Sequence, residues 1–189
     1  FNQVDTYLNE ANFGSSSSNR IFQSYNGDLN MNSAFATVQY SLTDRLSVIL
    51  GARFEQLTQN VFFITTTYPD GDNSDYSKFN ILPSLISKYT LTDKQNLKFS
   101  ASKTYTLPQF KEKVPIIYED VAQAYRGNPD LYPSTNYNAD LGWEYFPKSG
   151  ELISATAFGK IIQNPINELF ENSSSNDITY ANTGEKATV

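Results

Sequence analysis

Six stretches of this chain alternate polar and apolar residues with a period of two. That alternation limits the fold more than any other feature, because only an extended strand turns successive side chains to opposite faces. From Ala34 to Leu42, the residues Ala34, Ala36, Val38, Tyr40 and Leu42 share one face, and Thr37, Gln39 and Ser41 take the other. After the turn Thr43-Asp44-Arg45 the apolar face resumes with Leu46, Val48, Leu50, Ala52 and Phe54, opposed by Ser47, Gly51, Arg53 and Glu55 with Ile49 as the exception. This second strand runs on toward Phe63, but its alternation slips near Gln56, where a bulge is expected. Phe79–Leu91 and Leu97–Leu107 repeat the pattern around the turn Thr92–Asn96. Tyr137–Tyr145 and Leu152–Ile162 repeat it again around Pro147–Gly150, and Ile178–Val189 begins a seventh strand.

The connections sort by length. Short turns close each hairpin, whereas Ile64–Lys78, Pro108–Thr135 and Pro165–Asp177 are long, and long unstructured connections are uncommon inside compact domains. Short turns at one end of a meander and long loops at the other are the habit of outer-membrane barrels. The two loops Ile64–Lys78 and Pro108–Thr135 are therefore expected at one end, opposite Thr43, Asp93 and Ser149. Tyr40, Tyr89 and Tyr145 each stand just before a short turn on the apolar face, as rings of an interfacial girdle would.

Composition agrees. The 189 residues include 13 Tyr and 13 Phe, yet the chain is only 39% hydrophobic with a mean hydropathy of −0.46. Alternating strands with one polar face combine those two properties; a Leu- and Val-rich soluble core does not. No apolar run is long enough for a membrane-crossing helix. Phe1 is not a start methionine and no signal sequence leads the chain, so it reads as a processed protein or a piece of one. The chain has no Cys and no His, which removes disulfides, most zinc, haem and iron–sulfur ligand sets, and every Ser-His or Cys-His catalytic pair. No cofactor is expected. A net charge of −6 without clustered Lys and Arg argues against nucleic acid as a partner.

Two features sit awkwardly. Lys103 falls on the apolar face of its strand, which requires the outer edge of a membrane, a snorkelling side chain or a bulge. Ile49, Leu82 and Ile86 point to the polar side, which a packed lumen accepts.

The runs TYTLPQFKEKVP from Thr104, RGNPDLYPSTNYNADLGWEYFP from Arg126 and GELISATAFGKIIQNPI from Gly150 resemble the barrel of TonB-dependent outer-membrane receptors, especially those of Bacteroidetes. The upstream run ILPSLISKYTLTDKQNLKFSASKT from Ile81 fits as well, so the resemblance is strongest over Ile81–Ile166. It implies an all-β, antiparallel up-and-down meander within a transmembrane barrel of roughly twenty-two strands. It further implies a plug inside that barrel, a periplasmic segment that engages TonB, and energised uptake of a nutrient through the outer membrane of a Gram-negative cell. Against that pattern residues 1–189 read as a partial barrel domain, with the plug, the TonB-binding segment and the other strands elsewhere. The partners implied are the lipid bilayer with its lipopolysaccharide, an extracellular nutrient, a surface lipoprotein, and TonB only through a segment outside this chain.

Several residues are candidates for more than framework. Tyr118, Tyr125, Arg126 and Tyr132 supply rings and a guanidinium suited to stacking on and hydrogen bonding a polar ligand, though rings of this kind also pack loops together. Gly127-Asn128-Pro129-Asp130 reads as a structural turn at the barrel rim. Asp70, Asp72 and Asp75 offer alternate oxygen ligands like a calcium loop, but Asp75 stands where such a loop needs Gly and Ile81 where it needs Glu. Asn172-Ser173-Ser174 matches a glycosylation acceptor that a bacterial barrel would not use, and Ser15–Ser18 and Ser173–Ser175 read as loop tips. Asp140 and Glu144 share a strand face, yet nothing beside them nominates acid–base chemistry, so no enzyme is expected. The competing architecture is a soluble β-sandwich that binds glycans through Tyr and Trp; it would have shorter strands and unsorted connections.

Overall fold

The computed structural model describes residues 2–12, 20–119, 124–171 and 177–189, of which 2–12, 20–22 and 118–119 are described as backbone alone. The strands are β1 (Asn2–Asn12), β2 (Arg20–Thr43), β3 (Leu46–Ile64), β4 (Asp72–Asn73), β5 (Tyr76–Thr92) and β6 (Gln95–Thr106), followed by one helical turn, α1 (Phe110–Lys113). Then come β7 (Ile117–Glu119), β8 (Ala124–Arg126), β9 (Ser134–Tyr145), β10 (Ile153–Gln163), β11 (Ile166–Phe170), β12 (Ile178–Asn182) and β13 (Lys186–Thr188). The main sheet runs β1-β2-β3-β5-β6-β9-β10-β13, with β4 attached to β3, and each neighbouring pair is antiparallel. This is the expected meander. A second sheet, in the order β11-β12-β8-β7, gathers parts of the two later loops.

Register assigns the faces, because residues directly opposite one another share a side. One row reads Val38, Leu50, Leu85, Ala101, Ala139 and Gly159 across the strands; the adjacent row reads Gln39, Ile49, Ile86, Ser100, Asp140 and Phe158. The expected division therefore holds, with Ala36, Val38, Leu50, Phe99, Leu141 and Trp143 on one face and Gln39, Arg53, Ser100, Asp140 and Glu144 on the other. Ile49, Leu82 and Ile86 do lie on the polar side. Among the described residues nothing covers the apolar face: Val38, Leu50 and Leu141 are 65%, 57% and 48% exposed.

Aromatic rings bound this apolar band at both ends. Near the short turns Tyr40, Tyr89 and Tyr145 point outward, and Trp143 stacks on Tyr145 at 6.0 Å. Toward the loops Phe54 stacks on Phe79 at 6.5 Å, with Tyr105 and Tyr137 on the same face. From Phe79 to Tyr89 the strand rises about 33 Å, or about 25 Å once tilted by about 40°. Neighbouring turns are bonded to one another, Thr90 N–H to the Arg45 carbonyl and Phe146 N–H to that of Lys94, both at 2.8 Å.

Three expectations need correction, and one choice among alternatives is resolved. No strand was legible before Ala34, yet β1 and the first half of β2 are extended; the outward residues there are Asn26, Asp28, Asn30 and Asn32, so the apolar stripe that marks a strand is missing. There is no bulge at Gln56. The β2–β3 and β3–β5 ladders pass through it without a shift, and the irregularities lie beside the turns at Ser41/Thr43 and Thr90/Thr92. Ile178–Val189 is not one strand: β12 joins the second sheet, and only β13 continues the main one. Of the alternatives for Lys103, the bulge is excluded because register is unbroken through Lys103↔Tyr137, and the residue stands on the apolar face at the level of the loop-side rings. Ser15–Ser18 and Asn172 to Ser175 lie outside the described residues.

Candidate functional site

The largest buried cluster of the described residues lies at the loop end of the sheet, on its polar face. Above Phe54 the strand β3 keeps its period but changes partners. Glu55, Leu57, Gln59, Val61 and Phe63 are buried on the inner face, while Gln56, Asn60 and Phe62 are exposed on the outer one. The segment following β6 folds back over that inner face. Gln109 N–H donates to the Glu112 carboxylate at 2.8 Å and starts α1, which directs Phe110 and Val114 downward. Tyr25, Val61, Phe63, Val114 and Ile116 form the cluster, with Tyr68 and Phe110 packed on it. Tyr68 meets Phe63 edge to face at 5.3 Å. Gly27 makes room for the strap, since a Cβ there would stand 2.8 Å from the Phe110 ring.

The Gly127–Asp130 turn fastens the strap from above. A Cβ on Gly127 would fall 2.0 Å from the Val114 carbonyl oxygen, so only glycine lets the two backbones meet. Asn128 N–H donates to the Glu112 carbonyl at 2.7 Å, and the Asn128 side chain accepts from Asp130 N–H at 2.9 Å, closing an Asx-turn. Ser74 Oγ donates to the Pro129 carbonyl at 2.5 Å, which ties in the β3–β5 loop. Asn128 Nδ2 donates to the Tyr180 carbonyl at 2.9 Å, and Asn182 exchanges bonds with Tyr132: N–H to Oδ1 at 3.1 Å and Nδ2 to carbonyl at 2.9 Å. Three loops are thus one unit.

Lys113 is buried beneath this unit. Burial pushes its ammonium below the usual lysine range, and the charges of Asp75 and Asp130 pull in the opposite direction. Asp70, Asp72 and Asp75 do not form a cation cage. Asp72 accepts from Asn73 N–H at 2.8 Å within β4, Asp75 answers Lys113, and among the described residues no three such ligands gather.

Of the ligand candidates, Tyr125 and Arg126 lie half-buried in β8, Tyr132 is exposed beside the Asn182 clasp, and the side chain of Tyr118 lies outside the described residues. Tyr118 and Tyr125 stand opposite each other across β7–β8, and Arg126 pairs with Thr179 of β12. All four thus belong to one small sheet and its border. Sequence reasoning missed Lys113 and Asn182, whose partners are brought near only by loops remote in the chain.

Below the strap the inner face is polar and largely self-paired. Arg53 bonds Glu55 at 2.6 Å, Lys98 bonds Glu144 at 2.5 Å, and Ser100 donates to Asp140 at 2.8 Å. Glu55 Oε1 and Gln59 Oε1 are buried with no partner among the described residues. A recess of about 290 Å³ lies over Gly142, between Lys98 and Thr156.

Comparison with known proteins places the arrangement. The model of the family described as TonB dependent receptor-like, beta-barrel matches residues 1–189. The ferric yersiniabactin uptake receptor FyuA of Yersinia pestis superposes with a TM-score of 0.65 at 17% identity, over 87% of this chain and 24% of its own. The Serratia marcescens hemophore receptor HasR, solved with its hemophore HasA and heme, gives 0.69 at 13% identity over 99% and 38%. The siderophore receptor PirA of Pseudomonas aeruginosa gives 0.53 at 17% identity over 90% and 39%. The chain therefore spans between a quarter and two fifths of these structures. No curated protein matches it by sequence.

Proposed function

Because this chain belongs to the TonB-dependent receptor-like β-barrel family, whose members are transporters rather than enzymes, we propose that it forms part of the wall and outer mouth of a nutrient receptor in the outer membrane. The exposed apolar band meets lipid hydrocarbon, and its aromatic borders lie at the two interfaces. The short turns face the periplasm and the fastened loops face the exterior, where cargo is first met. The polar inner face lines the lumen. Its two buried acceptors, Glu55 Oε1 and Gln59 Oε1, suit a lumen filled by another part of the protein, the plug that the resemblance implies. Energy comes through TonB by a segment outside this chain.

One observation carries the reading: a single sheet with an uncovered, ring-bordered apolar face on one side and a loop-capped polar face on the other. A soluble glycan-binding sandwich would bury that apolar face against a second sheet. The cargo we propose is a scarce polar nutrient such as a siderophore, glycan or peptide, met by Arg126 and Tyr132, with the receptor of Bacteroidetes type. The test uses the complete receptor: Arg126→Ala with Tyr132→Ala should cut cargo uptake at least about tenfold, a loss of about 1.4 kcal/mol, with surface abundance unchanged. Normal uptake by that variant would remove these residues from the site, and a receptor that stays soluble without detergent would remove the membrane assignment itself.

A further inference from the structure

Lys103 has no part in the reading above. It lies on the lipid-side face opposite Tyr137, and among the described residues no ion pair or hydrogen bond holds its ammonium. Beside it the wall opens. The β5–β6 ladder ends at Ser84↔Ser102, although β5 stays paired with β3 as far as Gln59↔Tyr76 and β6 with β9 as far as Thr106↔Ser134. Pro83 stands just past the last rung, where its missing N–H forfeits no bond between these two strands. The cleft holds about 460 Å³, and its lining includes Leu50, Pro83, Leu85, Ala101, Lys103 and Tyr137.

We propose that this cleft binds one anionic membrane lipid, with an acyl chain between β5 and β6 and the lipid phosphate on Lys103 Nζ, the Tyr137 hydroxyl donating beside it. The inference rests on the membrane-spanning reading. A cation on the lipid face is costly without a counter-ion, and lipid phosphates lie at the height of the aromatic border where Lys103 stands. An apolar cleft that faces hydrocarbon gains dispersion contacts when a chain enters it. A carboxylate-bearing protein would satisfy the charge and leave the apolar cleft unfilled, and so would free phosphate.

The experiment is native mass spectrometry of the complete receptor, released from micelles doped with phosphatidylglycerol or with monogalactosyldiacylglycerol, which carries two chains and no phosphate. The wild type should retain one phosphatidylglycerol about fivefold more tightly than the galactolipid. Lys103→Gln should erase that preference, Lys103→Arg should keep it, and inorganic phosphate should displace neither lipid. Equal retention of the two lipids by the wild type, an undiminished preference in Lys103→Gln, or displacement by inorganic phosphate would overturn the site. Heat-modifiable migration of the same samples reports barrel formation. An inserted receptor without lipid preference overturns this site alone, whereas a protein needing no detergent overturns the membrane reading with it.

Discussion

The two halves of β3 obey one rule and give opposite results. From Leu46 to Phe54 the outward residues are all apolar and the inward ones are Ser47, Ile49, Gly51 and Arg53; from Glu55 to Ile64 the outward Gln56, Thr58 and Asn60 are polar and the inward Leu57, Val61 and Phe63 are buried. Backbone geometry does not change between them, since register is continuous throughout. The surroundings change. Below, the proposed solvent of the outer face is hydrocarbon; above, it is water, and the inner face has acquired a lid of protein in Phe110, Val114 and Ile116. On the proposed reading, the inversion of hydrophobic pattern along this unbroken strand marks where the wall leaves the membrane.

The comparison breaks most readily at the lid. Phe63→Ala should destabilise the mouth by about 3–5 kcal/mol through loss of packing and the cavity left behind, and Phe54→Ala on the outward face should cost clearly less. Urea titration of folding into vesicles would measure both, and equal losses would show that the upper inner face is not a packed core. A smaller effect sharpens the boundary itself. Leu50→Arg should cost about 2–4 kcal/mol and Gln56→Arg, on the same face three outward positions higher, about 0–1 kcal/mol. Similar costs at the two positions would place Gln56 inside the hydrocarbon and move the boundary.

The smallest effect concerns Lys113. Its pKa is lowered in the folded protein, so over the interval between that lowered value and the ordinary lysine range the unfolded chain binds more protons. Stability of the strap should therefore rise with pH across that alkaline interval, as the cost of a buried ammonium is relieved. Lys113→Met should remove the slope. Proteolysis of the strap, normalised to the free peptide, gives the readout; an identical slope in wild type and variant would assign it to other groups.

What the sequence disclosed follows the same boundary. Ala34–Leu42, Leu46–Phe54 and the four later strands were legible because each has one largely apolar and one largely polar face, which makes period two visible. In the first half of β2 the outward Asn26, Asp28, Asn30 and Asn32 are all polar and supply no apolar stripe, so they gave no strand signal. Upper β3 mimicked a bulge because its apolar residues had moved to the inner face. The clasp between Tyr132 and Asn182 was invisible for another reason: no local pattern encodes a bond between residues 50 positions apart (182 − 132).

That clasp, with the parallel pairing of β8 to β12, also differs from the wall in how far apart in the chain its partners lie. In the wall the neighbours β2–β3, β5–β6 and β9–β10 are closed through tight turns, so each of these strands has its partner next to it in the chain. Tyr125 instead pairs with Ile178, 53 residues later (178 − 125), with β9 and β10 between them, so this contact closes a longer loop. Residues 20–163 contain β2, β3, β5, β6, β9 and β10 of the wall, whereas the loop unit also needs Ile178–Asn182, so the loops draw on more of the chain than most of the sheet beneath them.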